Sequence, residues 1–404
     1  MPENNTERSY AGESSPYAPI RYQNTSFWNL AMTFARQGIV KANGNYNPGL
    51  YDYIHDQIIQ KDIAVFDQMI SKSGQKMTKE ERVETLAASA YRILFLRTWL
   101  PPLAQFIAGG RQIFDMGDEL TNMLQNTDLA ECTLRDLALP FESFFIRFKA
   151  QEEEGEKRIP YASQFDGAFI VRDTMESKPG DGEEVKQVLH IMLTMENEGK
   201  RSLIYPGVYF RFYPQHFDLT IQEAIQKSIE ESEREFEEMS ASVSDPFNKE
   251  FLAFQLDGLS YSRALILKFM PLIVNAIFYI ESLSELPRQQ AGQGTPASLS
   301  RQWEQSQGNR RQKVQSRMSA EGYTVVRLLG SEFSPKPAMG NLIEADGDTH
   351  VKTHWRRGFW REQAHGPKMS LRSRKWIRPT MVNANLNPDG DLSGHIYIPQ
   401  RQSR

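Results

Sequence analysis

Between His350 and Arg378 the chain reads HVKTHWRRGFWREQAHGPKMSLRSRKWIR, and this stretch holds the residues best equipped for chemistry. Three of the six tryptophans (Trp355, Trp360, Trp376) and three of the seven histidines (His350, His354, His365) fall in it, and nine Lys/Arg stand against one acid, Glu362. Guanidinium groups neutralise phosphates and indole faces stack on bases at about 1–3 kcal/mol each, so arginines interleaved with aromatics suit RNA or single-stranded DNA. The candidate surface facing nucleic acid comprises His354, Trp355, Arg356, Arg357, Gly358, Trp360, Arg361, Arg372, Arg374, Lys375, Trp376 and Arg378. Gly358, between Arg357 and Phe359, permits a sharp turn or a close backbone approach. Two plainer readings use the same residues. The tryptophans anchor a short C-terminal element to the body with arginines stacked on them, or the surface meets a protein.

His350 and His354 are four apart, which on a helix puts both on one face and suits a metal. Glu362 is the only nearby acid, and a strand would part the histidines, so neither a metal site nor a cofactor is expected. The enzymatic alternative is a metal-independent ribonuclease with His354 or His365 as base and the neighbouring cations stabilising a phosphorane. The chain carries no GxxxxGK[ST], no HExxH, no GxSxG and no GxGxxG after a strand. A binding protein is therefore expected ahead of an enzyme. Asp173, Glu183 and Glu184 read as solvated turn carboxylates, and His190, in an apolar strand, as a satisfied core histidine.

The elements that must position this stretch follow from periodicity. Residues 1–25 are polar and Ser/Asn-rich, and disorder is expected there. Residues 26–126 read as helical, with a capping box at Thr78–Glu81 and an interruption at Pro101-Pro102. The period then changes. Phe141–Phe148, Ala168–Val171, Val188–Met195 and Leu203–Phe212 are four short strand candidates with hairpin-like spacing, which predicts an antiparallel sheet. Pro206 marks the last as an edge or a bulge. An acidic helix (220–239) and a long apolar helix (251–286) follow, broken at Asp245-Pro246. Residues 287–320 hold few apolar side chains and read as a flexible linker, with Trp303 as its one docking candidate. Tyr323–Leu329 is a further strand. The expected fold is α+β: disordered 1–25, an α+β body over 26–286, a linker over 287–320 and a basic, Trp-rich segment over 321–404.

Composition bounds the function. With 404 residues, 40% apolar and 24% charged, the chain can bury a sizeable core. One cysteine, Cys132, excludes an internal disulfide and fits a reducing compartment. The N-terminus lacks the basic start and apolar run of a secretory signal. The run Ala264–Ile280 is interrupted by Lys268, Pro271 and Asn275 and falls short of the roughly 20 apolar residues of a span, so a core helix and no membrane are expected. The net charge of −4 conceals a split: residues 286–404 hold 19 Lys/Arg and 9 Asp/Glu, or +10, leaving −14 for the rest. A basic tail on an acidic body points to an anionic partner, or to a tail folded back on the body.

The motif HWRRGFW (His354–Trp360), followed by Arg374-Lys375-Trp376-Ile377-Arg378-Pro379, resembles the C-terminal signature of a phage and mobile-element family, the large type V-A anti-CRISPR proteins that suppress biogenesis of the type V effector nuclease. Arg356, Arg357, Gly358 and Trp360 fit its core, and Phe359 stands where many relatives carry histidine, which speaks against an obligatory histidine base there. Leu329-Gly330-Ser331-Glu332 fits the LGSE that precedes the signature, and the looser match covers about residues 80–383. The resemblance implies a protein of the bacterial host cytoplasm that binds the nascent chain of a CRISPR effector and triggers loss of its mRNA, with RNA or the ribosome, and a host nuclease, as further partners. The alternative is an RNA- or single-stranded-DNA-binding protein of a mobile element with no peptide target.

Overall fold

The computed structural model describes residues 15–43, 98–152, 164–175, 186–196, 207–241, 246–283, 287–331 and 354–382, with 54, 61 and 96. At its centre is a seven-stranded mixed sheet in the order β6-β5-β4-β3-β1-β8-β7. The strands are β1 (Ile113–Met116), β3 (Ser143–Glu152), β4 (Gln164–Met175), β5 (Lys186–Glu196), β6 (Gly207–Phe212), β7 (Arg288–Ala291) and β8 (Val325–Leu329). β3 to β6 pair antiparallel, as their hairpin-like spacing predicts, and β6 lies at the edge directly after Pro206. β1 joins β3 and β8 by parallel pairing. It lies inside a region expected to be helical. Four residues with Ile113, Phe114 and Met116 buried and Asp115 partly so are too few to show an alternation that would reveal a strand.

Side chains alternate across this sheet into two cores. Phe144, Ile146, Phe148, Ile170, Ile191 and Leu193 meet α3 (Asp118–Gln125), α4 (Ile221–Ala241) and α5 (Pro246–Glu281). Phe145, Phe169, Val171 and Met192 meet the helical turn Ala18–Arg21, α1 (Ser26–Arg36) and α2 (Leu100–Ala108). The fold is α+β with helices on both sheet faces. The part of α5 that satisfies length and hydropathy for a membrane span, Ser262–Glu281, is 72% buried, and Leu265, Phe269, Ile273 and Ile277 pack in the first core. α5 begins at Pro246, a position where a missing N–H costs nothing, and Asp245 lies outside the described residues.

Three expectations require correction. Disorder over 1–25 does not extend to residues 15–25: Tyr17 is buried, its hydroxyl donates to Asp115 Oδ2 at 2.7 Å, and Arg21 pairs with the buried Asp166. Residues 1–14, and the capping box at Thr78, lie outside the described residues. Asp173 is in β4, not in a solvated turn. It is 1% exposed, with Oδ2 3.2 Å from His190 Nε2, while His190 Nδ1 lies 2.6 Å from the Tyr209 hydroxyl. His190 is thus the satisfied core histidine expected of it.

The third correction is the linker. Residues 287–320 form β7, α6 (Ala297–Glu304) and α7 (Gly308–Ala320) around a small core of Leu299, Trp303, Val314, Met318 and Val325. Leu299/Trp303 and Val314/Met318 are i,i+4 pairs, one thin apolar stripe per helix. That suffices because both stripes close on one fully buried tryptophan, over which Arg311 stacks at 4.1 Å. The stretch also delivers the chain to β8, which sits between β1 and β7 inside the main sheet, so residues 325–329 belong to the body. Trp303→Ala is expected to cost about 3–5 kcal/mol locally. Limited proteolysis should then cut within 297–320 under conditions that leave the wild type whole; an unchanged digest would contradict this packing.

Candidate nucleic-acid interface

The basic segment forms two short β units. β9 (His354–Arg356) pairs antiparallel with β12 (Thr380–Val382). β10 (Gly358–His365) and β11 (Leu371–Ile377) form a hairpin, and β10 adds to β2 (Thr127–Asp128) in parallel. Alternation along the hairpin gives it two unlike faces.

The inner face carries Trp360, Glu362 and Ala364 opposite Trp376, Arg374 and Arg372. Trp360 is 4% exposed, tilted on Phe278 of α5 at 5.5 Å and stacked on Trp376 at 6.1 Å. Its indole Nε1 donates to Asn275 Oδ1 at 2.8 Å. The Asn275 amide in turn donates to Leu124 O at 3.0 Å and Thr127 O at 2.9 Å. Trp376 Nε1 donates to Thr127 Oγ1 at 3.1 Å, Thr127 Oγ1 to Met123 O at 2.9 Å, and Gly358 N to Asn126 O at 2.9 Å. The last carbonyls of a helix have no partner within it. Here the C-terminus of α3 receives its donors from α5, β2 and the hairpin, which welds the basic segment to the body. Arg374 closes the dock: it donates to Asp136 O at 2.8 Å, pairs with Asp136 and Glu362 at 3.1 and 3.2 Å, and lies 4.4 Å over the Phe278 ring. Gly358 is required by contact, since a Cβ there would stand 2.7 Å from Pro379 Cδ and 2.8 Å from Ile377 O.

The outer face carries Phe359, Arg361, Gln363 and His365 opposite Ile377, Lys375, Ser373 and Leu371. Arg361 and Lys375 are exposed and directly opposite one another. Like charges in a cross-strand pair destabilise a hairpin, so stability alone does not account for the pair. Arg356, Arg357, Lys368 and Arg378 add exposed cations around it, and Arg372, at the tip end of the other face, is exposed as well. At the tip, Gly366 (φ 74°), Lys368 (φ 54°) and Met369 (φ 57°) all occupy the left-handed region. For the two non-glycine residues this costs on the order of 1–3 kcal/mol each.

The candidate residues therefore divide. Trp360, Trp376 and Arg374 were expected to face nucleic acid; they instead anchor the hairpin, because burying an indole and satisfying its N–H stabilises more than leaving it in water. Arg356, Arg357, Arg361, Arg372, Lys375 and Arg378 are exposed, and Gly358 is a buried close-approach glycine. His354 and Trp355 lie in β9. The helical pairing of His350 with His354 fails at His354, which is in a strand, and His350 is outside the described residues. The tail both folds back and faces outward, at different residues. Asn275, Thr127 and Asp136 were missed as members of the site. The one available signal was Asn275 itself, an amide inside an apolar helix.

Asp136 gives the dock a pH dependence. Burial on its own raises a carboxyl pKa, but the Thr133 N–H and hydroxyl and the Arg374 guanidinium together hold this one below its ordinary value. A depressed folded pKa contributes stability above the unfolded value of about 4, and that contribution is lost as pH falls through the folded value. Tryptophan fluorescence from the docked hairpin should hold steady down to about pH 4 and change below it. Asp136→Asn should remove part of that change, and a transition centred above roughly pH 5 would implicate another group.

The sequence profile of the AcrVA2-like family, described as the anti-CRISPR type V subtype A2 family, matches residues 114–384. The chain belongs to this anti-CRISPR family. The matched span begins in β1 and ends just past β12, so the hairpin, α5 and the α3 terminus that holds them all lie within the family region, and α1 and α2 precede it. A crystal structure of AcrVA2 is similar over 91% of this chain and 100% of its own, at 13% identity and a TM-score of 0.38. Comparison with curated proteins found no match. An anti-CRISPR protein of this family thus presents a hairpin docked on its core through one face, with exposed cations on the other.

Proposed function

We propose that the protein blocks biogenesis of a type V CRISPR effector by binding the effector's nascent polypeptide and triggering loss of its mRNA, with the outer hairpin face turned to RNA or the ribosome. Family membership supports the anti-CRISPR role. The observation that carries the RNA-facing part is the Arg361/Lys375 pair, two exposed cations held opposite one another on a hairpin whose other face is fixed to the core. A polyanion relieves that repulsion and gains counterion release, so affinity should fall steeply with salt. Cutting of the message falls to a host nuclease in this reading.

Co-expression tests it. A reporter carries the N-terminal coding region of a type V effector, and its mRNA and protein are quantified with wild type and with Arg356→Ala, Arg357→Ala, Arg361→Ala and Lys375→Ala combined. All four residues are exposed, so the variant separates surface from stability. Both message and protein should drop with wild type and recover with the variant. A drop that ignores the effector sequence would favour the second reading, a nucleic-acid-binding protein without a peptide target, which the same basic face supports. No drop with well-expressed wild type would refute the proposal for that effector.

A further inference from the structure

Three of the four large hydrophobic side chains that stand exposed among the described residues lie on this one hairpin: Phe359 (43%), Met369 (65%) and Leu371 (53%). Met369 and Leu371 are at the tip, which projects them from a backbone held in the left-handed conformation at Lys368 and Met369. Leu371 passes close to Gly366, where a Cβ would stand 2.9 Å from Leu371 Cδ1. Cations flank the pair: Lys368 in the turn, Arg372 next along β11, and Arg361 with Lys375 nearer the base.

We infer that the tip is an apolar wedge that enters an open base stack of RNA, at a loop or a helix–loop junction, while the flanking cations hold the phosphates on either side. This deepens the RNA-facing reading above and rests on it. Size favours a base over a protein pocket. A stable protein interface covers roughly 800 Å² per partner, far more than two side chains offer, whereas one exposed base face is of their dimensions. Charge agrees, since residues 354–378 carry eight Lys/Arg and one acid. Shape decides where on the RNA. The major groove of an A-form helix is too deep and narrow for a two-stranded ribbon, so the tip reaches bases only where stacking is already interrupted. Met and Leu are among the side chains that act as wedges between base steps, and loss of stacking is the cost they offset.

The test uses the full-length protein and two RNAs of equal length, a stem-loop with 2-aminopurine at the loop-closing step and an unstructured oligouridine. Wild type should bind both, with a rise in 2-aminopurine fluorescence on the stem-loop. Met369→Ser with Leu371→Ser, both exposed, should lose that rise and about tenfold in stem-loop affinity, the scale of one base contact, and keep its oligouridine affinity. Arg361→Ala with Lys375→Ala should weaken both RNAs together. Wild-type binding without a fluorescence rise, or a rise that survives the tip variant, would overturn the wedge and leave the RNA-facing reading standing. A stem-loop DNA that gives the same rise and affinity would overturn its assignment to RNA. Failure of wild type to bind either RNA would overturn both readings.

Discussion

Trp360→Ala is expected to cost about 3–5 kcal/mol and to free the basic hairpin from the body. The indole is buried between Phe278 and Trp376, so its removal leaves a cavity at the junction of α5 and β11. It also strips Asn275 Oδ1 of its donor at 2.8 Å, and an unsatisfied buried carbonyl adds about 1–3 kcal/mol. The loss should be local at first. Asn275 keeps its own donations to Leu124 O and Thr127 O, so α3 and α5 stay joined while the hairpin detaches. Urea unfolding should show an early transition in Trp376 fluorescence ahead of the main one, and trypsin should cut at Arg361 or Arg372 in otherwise native protein. Trp360→Phe separates packing from hydrogen bonding, since it keeps most of the first and none of the second. A midpoint for Trp360→Ala within error of wild type would mean that the hairpin is held elsewhere.

Lys375→Glu is expected to do the reverse, with stability unchanged or slightly raised and RNA binding largely lost. The substitution turns a repulsive cross-strand pair with Arg361 into an attractive one, worth roughly 0.2–1 kcal/mol. Surface exposure keeps that gain small in salt. Binding suffers twice, by loss of a cation and gain of an anion. Each phosphate contact to a single strand contributes about −0.7 to the slope of log K against log salt, so Arg361→Ala with Lys375→Ala should flatten the slope by about 1.4. Affinity measured across a salt series, beside a melting curve, checks both parts. Weakened RNA binding with a lower melting temperature would assign these residues to the fold; unchanged binding would place the interface on another surface.

Much of this molecule was legible from its residues. The strands from Ser143 to Phe212, the edge position after Pro206 and the burial of the apolar helix all follow from period, proline chemistry and hydropathy, which act within a few residues of where they are read. The ordering of residues 287–320 was not legible, because composition counts apolar side chains without seeing that four of them converge with Val325. β1 was hidden for a related reason: a four-residue parallel strand is defined by its neighbours, and these come from residues 143–152 and 325–329.

The same division runs through the site. The sequence by itself determined that residues 350–378 are basic and tryptophan-rich and carry a family signature. It also determined the alternation that gives a hairpin two faces. Only the tertiary structure decided which face is which. Tryptophans and arginines serve equally well as anchors and as ligands for RNA, and sequence spacing is identical in both cases. What separates them is whether a buried acceptor waits for the N–H. Asn275 Oδ1 waits for Trp360, Thr127 Oγ1 for Trp376 and the Asp136 carbonyl for Arg374, each contributed from more than eighty residues away, while Arg361 and Lys375 face each other across the solvent side.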